Sequence, residues 1–159
     1  MAKTFKLTGG KKIAEALTFI EVKTKNSALL HVGFPSGGTE LNGEPTALVA
    51  FINEYGRIVR SKEGDYYQMP RPFFRNMIAK GEKHWGADLA ALLKANDYDA
   101  VLTLEQMGEE MVGELKESIQ ELTSPELAPS TIKRKGFSKP LIDTGNMLNS
   151  INSWVVEKK

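Results

Sequence analysis

The chain has 159 residues, 41% hydrophobic and 26% charged, the size and composition of one globular domain with a single core. Its 21 Lys and Arg against 20 Asp and Glu leave a net charge of +1, without the cation surplus that broad binding of nucleic acid requires. It has no cysteine, which excludes disulfides, thiolate metal sites and Cys nucleophiles and fits a reducing cytosol.

In chain order, the first twelve residues contain no apolar run of signal-peptide length, and no window approaches the length of a membrane span. The expectation is synthesis in the cytoplasm and no membrane partner. Thr4 to Leu7 reads as a short strand before Gly9-Gly10, and residues 11–19 read as a helix with Ile13, Ala16, Leu17 and Ile20 on one face. Asn26-Ser27 is a turn signal, and residues 28–34 form an apolar run of the buried-strand type. Gly37-Gly38 and Asn42-Gly43 mark a projecting loop at about 35–43. Pro45 opens a helix over 46–55, which Gly56 closes. The polar stretch 57–69 reads as a long projecting loop or loose hairpin, ended by the rigid Pro70-Arg71-Pro72.

The spacing of Phe74, Met77, Ile78, Trp85, Leu89, Leu92 and Leu93 predicts one helix from Phe73 to about Ala95. Gly81 and Gly86 are its weak points, suited to close packing or a bend. After the Asn96-Asp97 break, Thr103 with Gln106 reads as a capping box. Leu104, Met107, Met111, Leu115, Ile119 and Leu122 then recur at helical spacing until Ser124-Pro125. Helical turns around 130–135 and 144–151 and a strand at 154–156 complete the chain. The expected fold is α+β: one domain over 1–159, with a small, mostly antiparallel sheet packed against two long helices and several short ones.

Leu141-Ile142-Asp143-Thr144-Gly145 is the sharpest catalytic candidate, because two apolar residues before Asp-Thr-Gly mark a pepsin-type or retroviral protease half-site. There two carboxylates share a proton and activate water. This chain has no second copy of the motif, and the continuation Asn146 to Ile151 is helix-like. Asp143 or Thr144 therefore reads as a cap on the last helix, with no catalytic residue assigned. A dimeric aspartic protease using Asp143 is kept as an alternative.

His31 and His84 have no ligand-spaced partners in sequence, so neither a metal site nor a cofactor is expected. Glu109-Glu110 and Glu114 with Glu117 read as the solvated face of the 103–122 helix. Gly9-Gly10-Lys11-Lys12 lacks the Ser or Thr and the spacing of a phosphate-binding loop. Lys133-Arg134-Lys135, with Lys139 nearby, is the one basic cluster. Three readings of it stay open: a solvated surface, a contact with acidic protein, or a small nucleic-acid-binding module.

Val49 to Gly56, Met69 to Arg75, and Pro129 to Gly136 with Lys139 to Gly145 are three segments that, in this order, resemble the neck and tail-completion proteins of tailed bacteriophages, a virion-morphogenesis family related to minor tail proteins. Val49 to Gly56 is similar to an alanine-rich helix ending in Asn-Glu-aromatic-Gly, and Met69 to Arg75 to a Pro-x-Arg-Pro-Phe helix opening. Pro129 to Gly136 followed by Lys139 to Gly145 is similar to a Thr-Ile-x-x-Lys segment and then Pro-Leu-x-Asp-Thr-Gly. The resemblance implies a non-enzymatic α+β subunit that forms a six-fold ring at the head–tail junction of the virion, with no cofactor. The partners it implies are further copies of the chain, connector or head-completion proteins, and tail-tube or terminator proteins, with DNA passing by. Arg71, Phe73 and Arg75 would then order the loop–helix junction, and Lys133, Arg134 and Lys135 would face neighbouring subunits or DNA.

Overall fold

A computed structural model describes residues 10–24, 28–40, 43–62, 64–143 and 145–157. Its elements run α1 (Gly10–Thr24), β1 (Ala28–Gly33), α2 (Thr46–Tyr55), β2 (Arg57–Val59), β3 (Tyr66–Gln68) and α3 (Phe73–Gly81). They continue as α4 (Trp85–Ala95), α5 (Ala100–Glu121), α6 (Pro129–Lys135), α7 (Asn146–Asn149) and β4 (Asn152–Glu157). The expected strand at Thr4 to Leu7 and the turn at Asn26-Ser27 lie outside the described residues.

The fold is α+β, with two separate two-stranded antiparallel sheets. β1 pairs with β4, Ala28 opposite Glu157 through to Gly33 opposite Asn152. β2 and β3 form a hairpin in which Arg57 faces Gln68 and Val59 faces Tyr66, so of the two readings of the 57–69 stretch the hairpin is the one found. β1 is not the fully buried strand that its apolar run suggests. Leu29 and His31 are exposed while Ala28, Leu30 and Val32 are half-buried, because α5 covers one face only. The crossing is close at Gly108: a Cβ there would lie 2.7 Å from Ser153 Oγ and 2.8 Å from Leu30 Cδ1.

α1 runs on to Thr24 rather than ending at residue 19, and two boundaries around α3 to α5 also differ from the sequence expectation. The 73–95 helix breaks at residues 82–84, because the Trp85 indole folds back onto Gly81, where a Cβ would stand 2.1 Å from the ring. Gly86 meets open space and takes no part. α5 begins a turn earlier than the Thr103–Gln106 pattern implies. Asp99 is its N-cap, accepting from Leu102 N–H at 3.1 Å, and Thr103 sits buried inside the first turn.

The core forms where α3 and α5 meet. Phe73 and Met77 from α3 pack with Leu115 and Ile119 from α5, and Ala50, Leu122, Met147 and Ile151 close around them. Full burial of Phe73, Leu115 and Ile119 stabilises the fold by about 1.5–3 kcal/mol each. Ser118, inside this interface, donates from Oγ to the Phe73 carbonyl at 2.7 Å. α1 takes no share of the core. Of its described side chains only Ile20 is half-buried, and Ile13, Leu17, Phe19 and Val22 are all exposed.

Candidate interaction surface

Asn53-Glu54-Tyr55-Gly56 ends α2 and ties the β2–β3 hairpin to the start of α3. The Glu54 side chain is 4% exposed and lies at the N-terminus of α3. Its Oε2 accepts from Phe74 N–H at 2.9 Å, and its Oε1 accepts from Arg75 N–H at 3.3 Å and from Arg75 Nε at 2.8 Å. The carboxylate thus caps α3 from another helix, satisfying free N–H groups where the helix dipole favours negative charge. Arg75 also donates from Nη2 to the Glu54 carbonyl at 2.6 Å, and its guanidinium stacks over the Tyr55 ring. Beside it, the Asn53 carbonyl accepts from Arg71 N–H at 2.7 Å, and Asn53 Oδ1 accepts from Gln68 Nε2 at 3.3 Å. Gly56 adopts φ 76°, and a Cβ there would lie 2.5 Å from the Gln68 carbonyl, so the hairpin turns away from α2 only at glycine.

On the other side of this junction a cleft of about 790 Å³ runs between the hairpin and the 125–147 segment. Tyr66, Tyr67 and Met69 are exposed along one wall, and Arg71, Arg134 and Lys135 line it too. Arg71 is half-buried, and burial holds its guanidinium below the usual arginine range. It donates from Nη2 to the Pro125 carbonyl at 3.5 Å, while its Nε is buried without a partner among the described residues. Glu40 Oε1, on the same cleft, is likewise buried and has no partner among the described residues. Burial also pushes the Lys135 ammonium down, with Asp143 opposing the shift and Arg134 and Arg71 adding to it. Lys135 donates to the Lys139 carbonyl at 2.8 Å and sits over the Phe137 ring.

The structure therefore gathers Arg71, Arg134, Lys135 and Asp143 around one cleft, although more than sixty residues separate Arg71 from the other three. It does not bring Phe73, Arg75 or Lys133 there. Phe73 is fully buried and belongs to the core, Arg75 belongs to the Glu54 junction, and Lys133 is exposed on α6. Asp143 is not a helix cap. Gly145, at φ 78°, occupies the N-cap position of α7 with no side-chain bond, and the exposed Asp143 carboxylate instead meets Arg134 Nη2 at 3.4 Å. Thr144 lies outside the described residues.

The sequence reading missed Glu54, although a signal was available. An acidic residue in the last turn of a helix opposes the helix dipole, so it implies a partner elsewhere. His31 stacks on Trp154 across the β1–β4 pair, with ring centroids 5.4 Å apart, as a structural histidine. Among the described residues, no helix is long and apolar enough to cross a membrane. No family model, curated protein or solved structure matches the chain.

Proposed function

We propose that this chain is a structural assembly subunit, a ring-forming protein of the phage head–tail junction that connects or completes the tail. The observation that carries the assembly reading is the balance of apolar surface. Among the described residues, eighteen large hydrophobic side chains are exposed against nine buried hydrophobic ones. Single exposed apolar residues are ordinary, but here they run along whole elements. α1 presents Ile13 and Leu17, and α2 presents Leu48, Phe51 and Tyr55. The hairpin continues that face, with the Tyr67 hydroxyl donating to the Tyr55 carbonyl at 3.4 Å.

Two different apolar faces on one chain suit a head-to-tail contact, which closes into a ring when the rotation between copies is right. The cleft supports the same reading. Its mixture of tyrosines, cations and carboxylates suits a peptide segment of a neighbouring protein, and such a segment would give Arg71 Nε and Glu40 Oε1 their missing partners. The position at the head–tail junction, with connector and tail-tube or terminator neighbours, rests on the three sequence segments described above. Lys133, exposed on α6 and away from the cleft, is the cation of the basic cluster left for a neighbouring subunit or passing DNA.

Light scattering on the eluting protein, alone and mixed with purified heads or tails, tests this reading. Closed oligomers, or addition to one of those particles, are the expected result. A protein that stays monomeric and joins neither particle would sink it.

A further inference from the structure

We propose that His84, Glu110 and Glu114 form a binding site for a divalent transition-metal ion, with zinc as its best occupant. The site lies away from the cleft, where the turn between α3 and α4 meets the middle of α5, and it does not depend on the assembly reading.

Each ligand is placed by a separate structural cause. Glu110 and Glu114 are one turn apart on α5, so their carboxylates share a face. His84 stands on the α3–α4 turn that packing of Trp85 on Gly81 creates. That turn faces α5, and one donor atom from each of the three residues falls within 4.8 Å of the others. Donors bound at about 2.0–2.2 Å around one ion are roughly 3–3.5 Å apart. His84 Nε2 and Glu114 Oε1 already stand at 3.4 Å. The Glu110 carboxylate is exposed and within 4.8 Å of both.

The surrounding groups are those that hold metal ligands in place. Asp88, four residues on in α4, bonds to His84 Nδ1 at 2.6 Å and leaves Nε2 as the nitrogen facing the carboxylates. A carboxylate on the far nitrogen is what fixes the tautomer and ring orientation of metal-bound histidines. Trp85 Nε1 donates to Glu114 Oε2 at 2.8 Å, which turns the other oxygen toward His84. Lys80 lines the same small recess, but its ammonium is engaged by Glu121 and does not occupy the site. One imidazole and two carboxylates, with no thiolate, suit zinc, while the imidazole disfavours magnesium and calcium.

The test uses the full chain, stripped with chelator and titrated calorimetrically with zinc at pH 8. The expected result is one ion per chain, with no comparable uptake of magnesium or calcium. His84→Ala should weaken binding at least 100-fold, and Asp88→Asn, which removes no ligand, should weaken it 10–100-fold. Cobalt bound in place of zinc should give visible bands of a low-symmetry site in the wild type, and these should disappear in His84→Ala. If His84→Ala fails to fold, Glu110→Gln, a change at an exposed position, should show the same loss of affinity. Wild type, His84→Ala and Glu110→Gln binding zinc equally well, or the wild type binding none, would overturn the proposal and leave a plain hydrogen-bonded cluster.

Discussion

Glu54 and Asp143 are both carboxylates near helix ends, and their surroundings give them opposite weights. Glu54 is buried and accepts from two backbone N–H groups and one guanidinium. Glu54→Ala would leave the first N–H groups of α3 without that partner, while Arg75, half exposed, could recover water. The expected cost is about 2–3 kcal/mol, read as a lower midpoint in urea at unchanged slope. Asp143 is exposed, and its ion-pair partner among the described residues is the exposed Arg134, at 3.4 Å. Surface pairs of this kind contribute about 0–1 kcal/mol, so Asp143→Ala should move the midpoint by less than about 0.5 kcal/mol. A loss above about 1 kcal/mol would instead restore the capping role that the sequence suggested.

At the scale of elements, glycines on α5 give a matched pair. Gly108 lies where the helix meets Leu30 and Ser153, while Gly113 meets nothing within 4 Å. Gly113→Ala should stabilise the protein by about 0.5–1 kcal/mol through helix propensity alone. Gly108→Ala gains the same propensity but forces apart a tight crossing, so a net loss of about 1–3 kcal/mol is expected in thermal or urea unfolding. Equal effects at both positions would mean that α5 does not lie against the sheet as described.

Much of the element order was legible from local chemistry. Pro45 and Gly56 bracket α2 where the sequence placed it, and the apolar spacing of 107–122 marks the α5 face that is buried. What local pattern could not carry were the effects of contacts distant in sequence. The break after Gly81 follows from the place of the Trp85 ring, and Asp99 wins the cap because Thr103 is buried one turn inside. The cleft and the His84 cluster were illegible for the same reason. Arg71 meets the 125–135 segment, and His84 meets Glu114, only once α3, α4 and α6 have folded about α5.

For the whole molecule, the apolar stripe of α1 gives the assembly reading its cleanest handle. Leu17 is 61% exposed and far from the core, so Leu17→Lys should leave the melting temperature within about 2 °C of the wild type. The same change should shift the oligomer distribution toward monomer in light scattering. Unchanged oligomers would remove α1 from the contact. Phe51→Lys on α2, also exposed, tests the α2 face in the same assay.

The pairing of β1 with β4 also sets an order of events in synthesis. Gly33 finds its partner in Asn152, so more than a hundred residues must be made before the first bond of that ladder can close. A strand pair of this size does not persist alone, and α5 gains its cover only when residues 152–157 have left the ribosome. Until then the Gly108 side of α5 lacks Ser153 and has only Leu30 of β1 to meet. Phe73 and Met77 can meet Leu115 and Ile119 earlier, but Met147 and Ile151 close that core only as β4 is made. Ribosome-bound chains halted at residue 140 should accordingly be cut by protease near residues 28–33, and chains released at full length should be protected there.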